Sequence, residues 1–453
     1  MPERPLPDHE SVSPAPATRG MELRAVVSGS LGSALEYFDF AVYGALSATL
    51  FPTLFFKDLG STGALLASFA TFGVGFVARP VGAIVFGHLG DRIGRKPVLF
   101  LTLMLMGVGS ILIGLLPTGQ GAFIAALLVG LRFVQGFSLG GEAIGNQLMS
   151  MEHSDKSRRG LMGSLIIMGS PISQVLANLL LFVLSATLTA EQFAAWGWRI
   201  PFLGSIVIIA VALYIRLKLE ETPAFVEATI EAEAAHQKRP VGGLRVLRTH
   251  PRPVLLLLLS WAGTSVSFYL VAVFGLSYLP KETGMTSQTA LLILVIANGV
   301  SVLFAIAGGI VSDRIGRKPV WYAGLAGCFI GILAFFTLIG NNAVIAGIIV
   351  TVILCSIQFL SGTQPALFAE QFSTEMRFSG AAIAHTFANL FFSAPAPFVA
   401  TALVAVGGTG LVMTYTLLVL VVSAVAVSRL SDGRHLNLTD FTEEIAMQTK
   451  ATA

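Results

Sequence analysis

With 453 residues, 54% of them hydrophobic and 12% charged, and a mean hydropathy of +0.79, the chain carries too little polar surface to wrap a soluble core of its size. A soluble enzyme is thereby excluded, and a formal net charge of +3 spread over short loops does not form the single accessible basic patch that nucleic-acid binding needs. Cys328 and Cys355 fall within apolar runs and read as packing residues; no disulfide framework, metal-ligand spacing, catalytic nucleophile or phosphate-binding loop is in the pattern.

Apolar runs of about 20 or more residues, each long enough to cross a ~30 Å hydrocarbon core as a helix, recur about a dozen times between short polar breaks. They fall near residues 25–52, 62–87, 98–117, 121–145, 161–186, 198–218, 253–279, 288–311, 319–339, 343–366, 378–405 and 409–429. The octapeptide Asp91–Val98, DRIGRKPV, returns unchanged at Asp313–Val320, so the chain is expected to be an all-α integral membrane protein of two related halves. Residues 25–218 are expected to form the first six-helix bundle, 219–252 a cytoplasmic linker and 253–429 the second bundle. Residues 1–24, with Pro5, Pro7, Pro14 and Pro16 among polar groups and no apolar core, read as a disordered cytoplasmic tail without a cleavable signal, and 430–453 as a second cytoplasmic tail.

Orientation follows from the basic residues. With both termini inside, Arg92, Arg95, Lys96, Lys156, Arg158, Arg159, Arg314, Arg317 and Lys318 fall in cytoplasmic loops, and the linker adds Lys238, Arg239, Arg245, Arg248 and Arg252. The opposite loops hold little beyond Lys57, Arg199 and Lys281.

In the first span, Gly29, Gly32, Glu36, Asp39 and Tyr43 are spaced by three or four and share one stripe of small and polar groups. At ~1.5 Å per residue from Ala25, Glu36 lies ~16 Å and Asp39 ~21 Å deep. An acid at that depth costs ~2.5 kcal/mol or more unless it meets a partner or an aqueous cavity. Two readings stand: a structural ion pair with a neighbouring helix, or a transport or proton-coupling role. Arg79 of the second span sits ~12 Å above the cytoplasmic edge on the same count, near enough in depth to pair with Glu36, and its role is either structural or functional. That span ends at Gly87-His88-Leu89-Gly90 and enters the repeated turn, where glycines permit tight turning and Asp91 accepts bonds from exposed amides or from an arginine.

The string GHLGDRIGRKP resembles the signature loop between the second and third helices of the major facilitator superfamily, and its return at Asp313 matches that superfamily's two six-helix halves. The resemblance implies twelve transmembrane helices in two pseudo-symmetric bundles that rock about a site near the bilayer midplane.

In the fourth span Arg132, Gln135, Glu142 and Asn146 fall on one face, with Arg132 ~15 Å from the outer edge. RFVQGFSLGGE at Arg132–Glu142 resembles the metabolite:proton symporter family, as do LEYFDFAVYG at Leu35–Gly44, GWRIPFLG at Gly197–Gly204 and LEETPAF at Leu219–Phe225. That resemblance implies a bacterial inner-membrane importer of small carboxylates or zwitterions, coupled to protons. A midplane guanidinium is a bidentate receptor for a carboxylate, so Arg132 is the leading substrate residue, with an internal salt bridge as its alternative. Glu36 and Asp39 are the proton-coupling candidates, since burial favours a neutral acid and a nearby arginine a charged one. Glu142, at the cytoplasmic end, is expected to pair with Arg92 or Arg95 in a gate that includes Asp91; Asp313, Arg314, Arg317 and Glu370 repeat that gate in the second half.

The other candidates for a substrate cavity are Gln174 and Asn178 in the fifth span, Trp261 and Tyr269 with Ser265 in the seventh, Gln358 and Gln364 in the tenth, and His385 with Asn389 in the eleventh. Such residues also serve as glue between helices. The family's tyrosine and glutamine near 385 and 386, and its glycine run near 392–394, are here His385, Thr386, Phe392, Ser393 and Ala394, so no particular member's substrate carries over. After Gly169-Ser170-Pro171, Ile172 and Ser173 stand where a drug/proton antiporter's motif has glycines, which disfavours efflux. The reading is a monomeric, cofactor-free, rocker-switch importer of a small organic acid with protons. Its alternatives are a symporter of a zwitterion such as betaine or proline, with Tyr43, Trp261 and Tyr269 as cage rings, and a membrane receptor that binds without transporting.

Overall fold

The computed structural model describes residues 37–93, 95–140, 158–207, 210, 242–340, 342–372 and 374–431. Every regular element among them is helical, as hydrocarbon requires of a chain whose backbone N–H and C=O groups must bond within their own segment. In chain order the membrane helices of the first half are α1 (37–49), α2 (Gly60–Ile93), α3 (Arg95–Leu115), α4 (Ala122–Leu139), α5 (Arg159–Thr187) and α6 (200–207). The second half comprises α7 (Pro251–Thr283), α8 (Ser287–Ile315), α9 (Arg317–Thr337), α10 (Ala343–Ala369), α11 (Ser379–Gly407) and α12 (Thr409–Ser428). Nine helices among the described residues are long and apolar enough to cross a membrane; α1, α3 and α6 complete the two sets of six.

Hydroxyls within these helices donate to a carbonyl three or four residues back, Ser47 to Gly44, Thr49 to Ala45, Ser173 to Gly169 and Thr351 to Gly347. These hydroxyls are thus carried through apolar runs with their donors satisfied. Side-chain caps start two of the helices: Thr286 accepts from the Thr289 amide ahead of α8, and Asn342 from the Val344 and Ile345 amides ahead of α10.

The polar breaks that the apolar pattern places at 88–97 and 312–318 are mostly helix. α2 continues through Asp91 to Ile93 before α3 begins at Arg95, and α8 continues through Asp313 to Ile315 before α9 begins at Arg317. In the second copy the turn is a one-residue elbow at Gly316, with φ +101°, a conformation glycine adopts without strain. Hydropathy ends early because it reports the passage from lipid to headgroups and water, whereas the helix ends only where its backbone bonding does.

The tightest crossing in each half is built on glycine. α4 crosses α2 where a Cβ on Gly136 would meet the Gly75 carbonyl and one on Gly82 the Phe137 carbonyl. In the second half α10 crosses α8 where a Cβ on Gly308 would meet the Phe359 carbonyl and one on Gly362 the Ala305 carbonyl. α3 lies against α4 as α9 lies against α10. Between the halves, α5 packs on α8 with Gly160 and Gly309 each placing a carbonyl where the other's Cβ would stand, and α11 meets α2 where Gly73 faces the Ala394 carbonyl. Ile84, Phe123, Leu303 and Val406 are among the most exposed side chains, as suits a surface solvated by lipid.

Gly136→Val drives a branched side chain into the Gly75 backbone, whereas a Cβ on Gly130 has nothing within 4 Å. In detergent, G136V is expected to melt well below wild type, by more than the ~1–3 kcal/mol of ordinary overpacking, and G130V close to wild type. Equal melting of the two variants would refute the glycine crossing.

Candidate functional site

Where α1, α2, α5, α7, α10 and α11 converge they line a cavity of about 70 Å³. The first half contributes Tyr37 of α1, Arg79 of α2, and Ile167 and Ser170 of α5. The second half contributes Trp261, Thr264, Ser265, Phe268 and Tyr269 of α7, Ile357, Gln358, Ser361 and Gln364 of α10, and His385, Asn389 and Ser393 of α11. The spacing of three or four along α10 and α11 keeps one face of each helix on the cavity. α7 and α11 each widen into a π-turn beside it, at Leu270–Phe274 and Asn389–Ser393, a local irregularity frequent at functional sites.

Arg79 is 8% exposed, and its guanidinium lies over Phe40 and Phe76, 4.3 and 4.8 Å from the ring centroids. The ring faces offer it a negative quadrupole in place of water. His385 lies beside Trp261, with ring centroids 5.5 Å apart, and an Asn389 amide hydrogen bond of 3.2 Å reaches its ring.

Arg132 stands apart from the cavity wall. It is fully buried over Phe40, Tyr43 and Phe72, at 3.8, 4.2 and 5.5 Å from the centroids. Its Nη1 donates to Gln135 Oε1 at 3.0 Å, while Nε and Nη2 have no hydrogen-bond partner among the described residues. Gln135 Nε2 donates onward to Ser110 Oγ at 2.7 Å, and Ser110 Oγ donates to Asp39 Oδ2. Ser205 Oγ donates to the other carboxylate oxygen of Asp39 at 2.9 Å. A buried guanidinium on α4 is thus linked to a buried carboxylate on α1 through Gln135 and Ser110, with α6 holding the second oxygen. Tyr43 belongs to this layer too, donating to Thr71 Oγ1 at 2.7 Å beneath Arg132. In α5, Asn178 donates to the Gln174 carbonyl at 2.8 Å, and neither residue is on the cavity wall.

At the elbow end of the second half, Arg317 is buried between two carboxylates, 2.6 Å from Asp313 and 3.1 Å from Glu370. Asp313 also accepts the amides of Gly160 at 2.8 Å and Leu161 at 3.0 Å. Those amides open α5 of the other half, where helical N–H groups lack an internal partner and the dipole favours an anion. One carboxylate therefore ties the two halves together. Arg314 is exposed beside this cluster. Glu36 and Glu142, and the side chains of Asp91, Arg92 and Arg95, lie outside the described residues, and with them the first-half gate and the Glu36–Arg79 pair read from the sequence.

The candidates thus divide into a cavity set (Arg79, Trp261, Tyr269, Gln358, Gln364, His385, Asn389), a buried layer beside it (Asp39, Tyr43, Arg132, Gln135) and a gate set (Asp313, Arg317, Glu370). Sequence reasoning missed Ser110 and Ser205, which carry no charge and find Asp39 only because α3 and α6 flank α1. It also missed Phe40, Phe72 and Phe76; the pair of phenylalanines four residues apart, one turn before Arg79 on α2, was a readable sign of a ring-supported cation.

Paired six-helix bundles that meet through glycine contacts around a cavity lined from both halves by polar and aromatic side chains define a membrane transporter. The profile of the Major Facilitator Superfamily matches residues 29–394, and the chain belongs to that superfamily, within its metabolite:proton symporter family. An inner membrane metabolite transport protein of Escherichia coli K12 is 35% identical over 92% of this chain and 95% of its own. The shikimate transporter of the same organism is 34% identical over 84% of this chain and 87% of its own, and a proline/betaine transporter of Salmonella typhimurium 33% identical over 80% and 74%. A crystal structure of D-xylose-proton symporter matches with a TM-score of 0.71, covering 91% of this chain and 98% of that one at 19% identity, a likeness of fold. The protein is a multi-pass inner-membrane transporter of metabolites and not an enzyme.

Asp313→Asn removes the charge shared by the α5 amides and Arg317. Hydrogen bonds to charged groups contribute ~1.5–3 kcal/mol, so the elbow end is expected to shift about tenfold or more toward opening. Spin labels at the elbow ends of α5 and α8 would register a growing long-distance population; an unchanged distribution would count against the lock.

Proposed function

We propose that this transporter imports a small organic acid together with protons, its halves rocking about the cavity as a monomer, with the basic elbow ends and both termini in the cytoplasm. The observation that carries the reading is the Arg79 guanidinium on the cavity wall, seated over the rings of Phe40 and Phe76. A cation withdrawn from water favours an anionic cargo, and a carboxylate paired with it crosses the low-dielectric region as a neutral unit. The shikimate transporter among the relatives agrees with such a cargo.

In this reading Arg79 receives the carboxylate and Arg132 is a positioning residue. Asp39 carries the proton. While charged, it holds the hydroxyls of Ser110 and Ser205 through strong bonds, and protonation weakens both, loosening α1 from α3 and α6 as the halves rock. Gln135 and Ser110 connect that event to Arg132, which shares the ring of Phe40 with Arg79. Cargo at Arg79 and the proton at Asp39 thereby act on one continuous assembly. At the cytoplasmic end the Asp313 bonds to the α5 amides close the path and break when it opens.

A zwitterion cargo has separate support in the Trp261, Phe268 and Tyr269 rings on the cavity wall and in the proline/betaine relative. In proteoliposomes carrying a pyranine reporter, proton influx is expected on addition of carboxylates; influx with betaine or proline alone would promote that second reading. Arg79→Lys, which keeps the charge but not the bidentate fork, is expected to raise the apparent KM about tenfold or more in a protein that still folds. Normal uptake by R79K would move the receptor role elsewhere. Asp39→Asn is expected to retain exchange of labelled cargo yet lose accumulation driven by a pH gradient, and wild-type accumulation would take Asp39 off the proton path.

A further inference from the structure

The walls of the cavity differ in how their polar groups are satisfied. On α11, Asn389 bonds the His385 ring at 3.2 Å and accepts from Ser393 at 2.8 Å, so that ladder closes on itself. On α7 and α10 the reverse holds. Thr264 Oγ1, Ser265 Oγ, Gln358 Oε1 and Gln364 Oε1 are buried without a hydrogen-bond partner among the described residues. Their side chains are 4% exposed or less and line the cavity. Buried polar groups are nearly always bonded, and several exceptions on one wall point to a ligand that completes them.

The chemistry of that ligand follows from the donor and acceptor inventory. A glutamine amide offers an acceptor and two donors, and a serine or threonine hydroxyl offers one donor with acceptor capacity. The group that matches both is the alcohol, itself donor and acceptor. A carboxylate only accepts and leaves the amide oxygens unanswered, and a quaternary ammonium makes no N–H or O–H bond at all. Arg79 belongs to the first half and this unsatisfied wall to the second, so a cargo with a carboxylate at one end and hydroxyls at the other bridges the bodies that must move together.

We infer that the cargo is a hydroxylated carboxylate, selected over unhydroxylated acids of the same shape by Gln358 and Gln364 with the hydroxyl of Ser265. The inference rests on the organic-acid reading above and narrows it. The arrangement also predicts that an acid lacking hydroxyls meets Arg79 but leaves the α7 and α10 groups stranded.

Isothermal titration calorimetry on the purified full-length protein tests this with two matched pairs, quinate against cyclohexanecarboxylate and lactate against propionate, and with glycine betaine as a further ligand. In at least one pair the hydroxylated acid is expected to bind about tenfold tighter or more, because a site built to bond a hydroxyl rejects the analogue without it. In Gln358→Leu and Gln364→Leu the ratio of affinities within that pair is expected to collapse to within about twofold. Equal affinities within both pairs in the wild-type protein, an arm that needs no variant to fold, overturn the hydroxyl assignment and leave the organic-acid reading standing. If no carboxylate binds, whether or not betaine does, both readings fall. A preference that survives in the folded variants overturns the role given to the two glutamines.

Discussion

A polar group in hydrocarbon must find its partner inside the protein, and most of this structure follows from that demand. It makes every described element helical, folds hydroxyls back on preceding carbonyls, and sets two guanidinium groups on aromatic faces. Phe40 lies under both, 4.3 Å from Arg79 and 3.8 Å from Arg132. One ring thus separates two like charges and joins the cavity wall to the layer that holds Asp39. On the α7 and α10 wall of the cavity the demand is unmet at four side chains among the described residues, and the proposed cargo is what would meet it.

In the proposed rocking, duplication supplies the moving parts. Each half contains a glycine crossing, α2 with α4 and α8 with α10, that fixes its helices as one body because neither backbone has room to slide past a side chain. The contacts between halves also use glycine, at Gly160 with Gly309 and at Gly73 with Ala394. In the proposed rocking the close approach there serves the opposite end, since a smooth backbone-to-backbone surface separates without extracting a knob from a hole. Similar chemistry therefore welds within a half and parts between halves, and the difference lies in the hydrogen bonds laid across the seam.

Much of the fold was legible because its signals are one-dimensional: apolar run length, the repeat at Asp91 and Asp313, and basic residues between spans. The site was legible in part. Counting residues from a helix end fixes how deep a side chain lies but leaves the rotation of the helix about its own axis open, and that rotation separates Arg79 from Arg132. Both lie at intermediate depth; only the first is on the cavity wall. Spacing correctly grouped His385 with Asn389 on one face, and Asp313 with Arg317 at one end. Ser110 and Ser205 carried no sign of their role, because an ordinary serine becomes significant only when tertiary packing brings a carboxylate to it.

The seam at Asp313 bears on how fast the carrier turns over. Its carboxylate answers to two partners at once, the opening amides of α5 and the Arg317 guanidinium on its own side. In the proposed rocking of the halves the first is released to water and the second stays, so the acid is never stripped of all its bonds on the way. A latch that retains one hand-hold adds little to the height of the barrier while still biasing the resting state. If the proposed cycle passes through this opening at each turn, that trade governs tempo more than affinity.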